Sequence, residues 1–214
     1  MIDEATLIDR LVADHRPAVP NAVQRKLTIA VGIGAVVTLL AVLATGLRGD
    51  MLTAITTPIF WWKLGYGTSF AIGSVIALTT LFRPGSDTPQ RLVLVLMPLA
   101  VAVALGVVEL ARDDGTARAA LWLGRTALVC PLLIFGLSIP PGLALVIAAR
   151  RSAPTQLRLT GAVIGLAAGG IAASLYALHC PETGFSFLAT WYSLGIFAAV
   201  AVGYLSGPAV LRWK

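Results

Sequence analysis

The sequence carries few charged residues. Only 12% of its 214 residues are Asp, Glu, Lys or Arg, about half the share found in soluble domains. The surface of a soluble chain of this length needs many more ionic groups, so the composition excludes a soluble enzyme, a soluble nucleic-acid-binding domain and a disordered chain. A hydrophobic content of 57% and a mean hydropathy of +0.87 indicate an integral membrane protein instead.

Cysteine and catalytic motifs are scarce as well. Two cysteines exclude a disulfide framework and permit one bond at most. The sequence has no HExxH, no GxSxG and no phosphate-binding glycine loop followed by lysine, the usual signatures of several enzyme classes. The middle of each apolar run lacks ionisable residues, which a transporter would need there. We therefore expect neither catalysis nor a permanently bound cofactor.

Six uncharged apolar runs are long enough to cross about 30 Å of hydrocarbon. A shorter run, 51–62, contains Pro58 and ends in two tryptophans before Lys63, which is typical of an interfacial anchor. The third of the six runs requires Glu109 to reach the headgroups. The predicted fold is all-α, a six-helix transmembrane bundle at 27–207, preceded by a tail at 1–26 and followed by a short segment at 208–214. The predicted spans are 27–47, 64–82, 92–108, 126–149, 159–178 and 187–207.

The distribution of Lys and Arg predicts the orientation of these spans. Eleven lie on the side of the two termini and five on the other, which places both termini in the cytoplasm of a bacterial inner-membrane protein. The first run has 21 residues and follows four acidic ones. Both features differ from a cleaved signal peptide, so we expect this run to be retained as a span.

Glycine and proline recur inside the predicted spans. Gly161, Gly165 and Gly169 form a stripe that favours close helix packing within one bundle over a dimer seam. Pro131, Pro140 and Pro141 indicate kinks whose freed carbonyls are satisfied by neighbouring helices. The oligomeric state is left open by these patterns.

The tail contains a segment, 3–16, with the apolar spacing of an amphipathic helix. A tail this short cannot bury the apolar stripe against itself, so the stripe must contact lipid, the bundle or a partner protein. Four acidic residues in the segment disfavour anionic lipid. We therefore favour a protein partner, with docking on the chain's own bundle as the alternative. The four stripe residues are Leu7, Ile8, Leu11 and Val12.

The two cysteines are predicted to reach the same face of the membrane. Cys130 lies just inside the fourth span and Cys180 just beyond the fifth, so six crossings place both at the outer face. A disulfide is chemically permitted in the periplasm. Two alternatives are small buried side chains and a soft-metal site with His179 and Glu182 as auxiliary ligands.

Several segments resemble the bacterial negative-regulator-of-sigma-F (NrsF) family in the same order along the chain. The resemblance is carried by Leu-Ile-Asp-Arg-Leu at 7–11, Pro-Ile-Phe-Trp-Trp-Lys at 58–63, Cys130-Pro131 with Leu137-Ser138 and Pro140, and His-Cys-Pro-Glu at 179–182 followed by Phe187 and Trp191-Tyr192.

The resemblance implies a six-pass inner-membrane anti-sigma factor without enzymatic activity. In that family a cytoplasmic N-terminal tail holds an extracytoplasmic-function (ECF) sigma factor inactive, and a periplasmic cysteine pair is implicated in the response to heavy metals or oxidation. Cys130 and Cys180 would take the sensor role, with at most transient metal binding and no direct nucleic-acid contact. Assigning the contact with the sigma factor to the apolar stripe of the tail is our inference. A membrane thiol-disulfide oxidoreductase or a transporter is the alternative function.

Overall fold

The computed structural model describes residues 12–13, 21–82, 95–112, 115–152 and 154–212, and those residues form helices joined by turns. In chain order the helices are α1 (Ala22–Thr45), α2 (Met51–Ala54), α3 (Pro58–Leu81), α4 (Met97–Arg112), α5 (Gly115–Leu123), α6 (Val129–Leu137), α7 (Ile139–Arg150), α8 (Leu157–Tyr176), α9 (Phe185–Phe187) and α10 (Ser193–Val210). A π-helical turn, Leu188–Tyr192, joins α9 to α10.

Helix α8 is the centre of the bundle. In the most apolar 18-residue stretch of α8, 83% of the residues are buried, whereas 28% are buried in the corresponding stretch of α1. The helix is rich in Gly, Ala and Ser, and such small side chains allow neighbouring backbones to approach closely. Gly161, Gly165 and Gly169 face the backbone of α10, which confirms their predicted role in packing within the bundle.

The break between α6 and α7 is the predicted proline kink. Pro140 and Pro141 occupy the first turn of α7, where their missing N–H groups cost least. The Thr38 hydroxyl of α1 donates a hydrogen bond to the carbonyl of Leu137 at 3.1 Å. A neighbouring helix therefore satisfies a carbonyl at the kink, as expected for a helix in an apolar environment.

The bundle has two chemically different ends. At one end, called the cysteine end here, the turn after α1 meets the turn after α8, and His179 Nδ1 lies 2.6 Å from the carbonyl oxygen of Gly46. At the opposite end Lys26 donates to the carbonyl of Arg151 at 2.7 Å, and Arg150 donates to the carbonyl of Val210 at 2.5 Å. Helix α1 runs without interruption from one end to the other, over about 36 Å.

Five helical segments of the described chain are long and apolar enough to cross a membrane. They are α1, α3, α6 with α7, α8, and α9 through α10. Helix α4 covers part of the third predicted span but has 16 residues, and residues 83–94 lie outside the described part. The all-helical class is confirmed for the described residues, whereas the count of six spans and the predicted domain bounds stay predictions.

The second predicted span differs at its start. Helix α3 begins at Pro58, within the run that we interpreted as a separate interfacial anchor. Trp61 and Trp62 are exposed on its surface, but Lys63 is fully buried. The proline fits at the first helical position. The helix therefore begins at Pro58 and not at residue 64, about 1.7 turns earlier than the sequence-based boundary, and it carries Lys63 into the protein.

We predict that Gly67→Ala destabilises the protein, because the new Cβ would lie 2.6 Å from the Ser174 backbone nitrogen of α8. Overpacking of this kind costs about 1–3 kcal/mol. The matched control is Gly65→Ala on the same helix, where a Cβ would meet no described heavy atom within 4 Å. Thermal unfolding in detergent should show a lower midpoint for Gly67→Ala alone. Equal midpoints for the two variants would contradict the packing of α3 on α8.

Candidate functional site

The structure brings Cys130 and Cys180 together at the cysteine end. Cys130 lies in the first turn of α6, and Cys180 follows the last turn of α8, where its N–H donates to the Tyr176 carbonyl at 3.0 Å. Both side chains are fully buried and carry free thiols. The two thiols lie close enough to influence each other's ionisation, although 50 residues separate them in sequence.

Lys63 contacts the second cysteine directly. Its Nζ lies 3.5 Å from Cys180 Sγ and 3.3 Å from the Cys180 carbonyl oxygen. It also donates to the carbonyl of Glu182. The side chain is fully buried, and a buried ammonium is stable only where hydrogen bonds and opposite charge replace its water.

Arg48 holds the same backbone segment from the other side. Its guanidinium donates to the Cys180 carbonyl at 3.2 Å and pairs with both carboxylate oxygens of Asp50 at 2.7 and 2.8 Å. Its own N–H donates to the Leu178 carbonyl at 3.1 Å. Two cations, Lys63 and Arg48, thus converge on the backbone at 180–182, which we call the clamped segment.

Aromatic side chains surround the thiols. Tyr176 and Tyr192 lie with ring centroids 5.9 Å apart, and Lys63 Nζ lies 5.6 Å from the centre of the Tyr192 ring. Tyr192 ends the π-helical turn, a local widening of a helix that often occurs at functional sites. Both tyrosines are buried, so the thiols lie in a closed, weakly polar pocket.

The local charges favour an ionised Cys180. The interaction with the neighbouring Cys130 thiol, together with the nearby Lys63 ammonium, outweighs burial and lowers the pKa of the Cys180 thiol. A thiolate is the nucleophilic and metal-binding form of cysteine. The two cysteines are therefore unequal, and Cys180 is the one prepared for reaction.

The two auxiliary candidates have other partners. His179 Nδ1 contacts the Gly46 carbonyl, and the Glu182 carboxylate accepts hydrogen bonds from the Arg125 N–H at 2.8 Å and the Thr126 hydroxyl at 3.0 Å. Within the described ranges, three or more His, Cys, Asp or Glu side chains do not gather into a group that could hold a metal ion. His179 and Glu182 instead fix the turns on either side of the cysteines.

Glu109 has a structural role that the sequence did not indicate. We expected its carboxylate to reach the headgroups, but it accepts hydrogen bonds from the N–H groups of Phe185 and Ser186 at 3.0 and 2.8 Å. The Ser186 hydroxyl donates a third at 2.7 Å. A carboxylate placed there accepts hydrogen bonds from the free N–H groups at the start of α9 and interacts favourably with the positive end of the helix dipole.

Sequence reasoning missed Lys63 and Arg48 as parts of the site. Lys63 could have been found from register, because Lys63, Tyr66, Gly67 and Phe70 recur at helical spacing and are all buried. Arg48 lies in a turn without periodicity, so the sequence carried no comparable signal. Of the tail residues, Leu7, Ile8 and Leu11 lie outside the described residues, while Val12 is helical and 69% exposed.

These features define a helical bundle with membrane-length helices and a buried thiol pair held between two cations. The chain matches the model of the family described as NrsF, negative regulator of sigma F, over residues 11–213. It therefore belongs to the NrsF family, as the sequence resemblance indicated.

Two curated relatives agree with this assignment. A protein of Azospira oryzae named "Probable anti-sigma-F factor NrsF" is 40% identical over 195 residues, which is 91% of each chain. The "Anti-sigma-F factor NrsF" of Caulobacter vibrioides is 36% identical over 212 residues, covering 97% of this chain and 98% of the relative. No solved structure matches the chain.

We predict that Glu109→Ala lowers the stability of the bundle by about 0.5–2 kcal/mol, the usual range for a lost helix cap. Glu109→Gln keeps one acceptor oxygen in place and should fall between this variant and the wild type. Thermal unfolding midpoints in detergent give the order. A midpoint for Glu109→Ala equal to that of the wild type would show that the carboxylate does not stabilise the start of α9.

Proposed function

We propose that the chain is a multi-pass inner-membrane anti-sigma factor, with both termini in the cytoplasm, that holds an ECF sigma factor through its N-terminal tail. Family membership and the names of the two relatives support the anti-sigma role. Five segments long and apolar enough to cross a membrane support membrane anchoring. The charge bias of the sequence supports the orientation.

The cysteine pair is the sensor in this proposal. An oxidant or a soft metal ion reacts with Cys130 and Cys180, the clamped segment rearranges, and the tail releases the sigma factor. The observation that carries the proposal is that α1 links both places. Its C-terminal end contacts the cysteine end through Gly46 and the following Arg48, and its N-terminal end continues into the tail. A single helix is a rigid element over which a shift can travel.

The energetic demand on this coupling is modest. Typical couplings between two sites amount to about 1–3 kcal/mol, enough for a graded release of the sigma factor. A complete switch from 1:99 to 99:1 would need about 5.5 kcal/mol. Helix α1 is the least buried of the five membrane-length segments, so it can shift against the bundle with the loss of few contacts.

The alternative functions fit the geometry less well. A thiol-disulfide oxidoreductase must present a sulfur to its substrate, but both thiols are fully buried. A transporter needs ionisable groups at mid-membrane depth. Helix α3 contains one charged residue, Lys63, which lies only about one and a half turns from the start of the helix and not at its middle.

We expect Leu7→Asp/Leu11→Asp to reduce capture of the sigma factor at least about tenfold, because burial of each leucine contributes about 1.5–3 kcal/mol. Co-purification of the sigma factor with the full chain in detergent measures capture. The control Thr6→Asp/Ala13→Asp adds the same charge on the opposite face of the predicted helix and should capture normally. Undiminished capture by the leucine variant would refute docking through the stripe.

Cys130→Ser/Cys180→Ser should abolish the response to oxidants and soft metals, because serine neither forms a disulfide nor binds soft metals well. The measurement is transcription of a reporter dependent on the sigma factor, before and after exposure of cells. The amount of full-length variant in the membrane fraction is the control for folding. Induction equal to that of the wild type would exclude the cysteine pair as the sensor.

A further inference from the structure

Lys63 is a buried cation without a carboxylate partner. Within the described ranges, no Asp or Glu oxygen lies within salt-bridge distance of its Nζ, and the nearby Asp50 is paired with Arg48. Backbone carbonyls supply hydrogen bonds to the ammonium but no full negative charge. Because an uncompensated buried charge is strongly unfavourable, the charged form of Lys63 requires an anion close to its Nζ.

Cys180 Sγ is the group in position to provide that anion. It lies 3.5 Å from Lys63 Nζ, whereas the Arg48 guanidinium contacts Cys180 at its carbonyl oxygen. A second observation points the same way. The Tyr192 hydroxyl is fully buried and has no hydrogen-bond partner among the described residues. Cys180 lies close enough to this tyrosine to interact with it electrostatically. A thiolate would give this hydroxyl an acceptor.

We infer that Lys63 is a positioning residue that holds Cys180 as a thiolate, so that Cys180 is the attacking sulfur and Cys130 the resolving one. This inference rests on the proposed sensing role of the cysteine pair. It adds to that role which of the two sulfurs reacts first and which cation pairs with the thiolate. Cys130, Tyr176, Tyr192, Arg48 and Lys63 are the titratable groups that face Cys180 from the surrounding elements.

With a hydroperoxide as oxidant, the chemistry has two steps. The Cys180 thiolate attacks one peroxide oxygen, so that an S–O bond forms and the O–O bond breaks. The sulfur loses two electrons to the peroxide, and the leaving oxygen takes a proton from water. The Cys130 thiol then attacks the sulfenic sulfur. The S–S bond forms, and hydroxide leaves with the Cys130 proton as water.

Oxidation then leaves Lys63 without its counter-ion. The disulfide is neutral, whereas the ammonium remains fully buried and bonded to the clamped segment. An unpaired buried ammonium either loses its proton or moves towards water, and both changes weaken its hydrogen bonds to the clamped segment. Because Lys63 and Arg48 hold the same carbonyl, either change also loosens the attachment of the turn after α1. In this way, loss of the negative charge at sulfur weakens the contacts that hold the end of α1, the helix that leads to the tail.

The inference is tested with the purified full chain in detergent at neutral pH. The first measurement is the ultraviolet thiolate absorbance of the reduced wild type minus that of Cys180→Ser. The second is the rate at which hydrogen peroxide oxidises Cys180, followed by mass spectrometry in a Cys130→Ser background. The variants are Lys63→Met, Lys63→Arg as the conservative rescue, and Lys26→Met as the matched control, since Lys26 also donates to a backbone carbonyl but lies at the opposite end.

We expect the wild type to show the thiolate band, and Lys63→Met to lose most of it and to oxidise at least about tenfold more slowly at pH 7, as a return of the Cys180 pKa to the ordinary thiol value of about 8.5 would produce. Lys63→Arg and Lys26→Met should keep both properties. Absence of the band in the wild type, or oxidation of Lys63→Met at the wild-type rate, would overturn the inference. If Lys63→Met fails to fold, the wild-type band still tests the thiolate, and the conservative variant Lys63→Arg tests the need for a cation, since loss of the band in that variant would contradict the inference. A thiolate band in the wild type, combined with wild-type induction in Cys130→Ser/Cys180→Ser, would support the Lys63–Cys180 ion pair and contradict the sensing role of the cysteines.

Discussion

The cysteine end depends on two buried cations that hold one short piece of backbone. Lys63 from α3 and Arg48 from the turn after α1 both donate to the Cys180 carbonyl. The clamped segment has no regular secondary structure, so these side-chain contacts fix its position. The same contacts place a sulfur beside an ammonium in a closed pocket. In the proposed mechanism, chemistry at that sulfur disturbs the contacts that join α1, α3 and α8.

This arrangement suits a regulator better than a catalyst. A catalyst returns to its starting state after each turnover and needs an open path for its substrate. Here the thiols are enclosed by tyrosines and by the packed ends of α6 and α8, and a small oxidant or ion is the reactant that fits. In the proposed mechanism, loss of charge at one sulfur is a local event, and α1 carries its consequence to the other end of the bundle.

The sequence was sufficient for the helical class, for the family and for the pairing of Cys130 with Cys180 at one end. Apolar run length and motif order are local properties that a single sequence displays directly. It did not lead us to the roles of Lys63 and Glu109, because a charged residue near a predicted helix end is normally assigned to the interface. The burial of Lys63 depends on α3 starting at Pro58, and the role of Glu109 depends on where α9 begins. Tertiary packing decides both.

The central claim is that the state of the two sulfurs sets the affinity of the tail for its sigma factor. The most direct measurement compares the dissociation constant for the sigma factor between the reduced full chain and the chain oxidised at Cys130 and Cys180, with oxidant-treated Cys130→Ser/Cys180→Ser as reference. The account predicts an affinity about 5- to 150-fold weaker after oxidation, the range of a coupling of about 1–3 kcal/mol. Equal dissociation constants for the two states would contradict it.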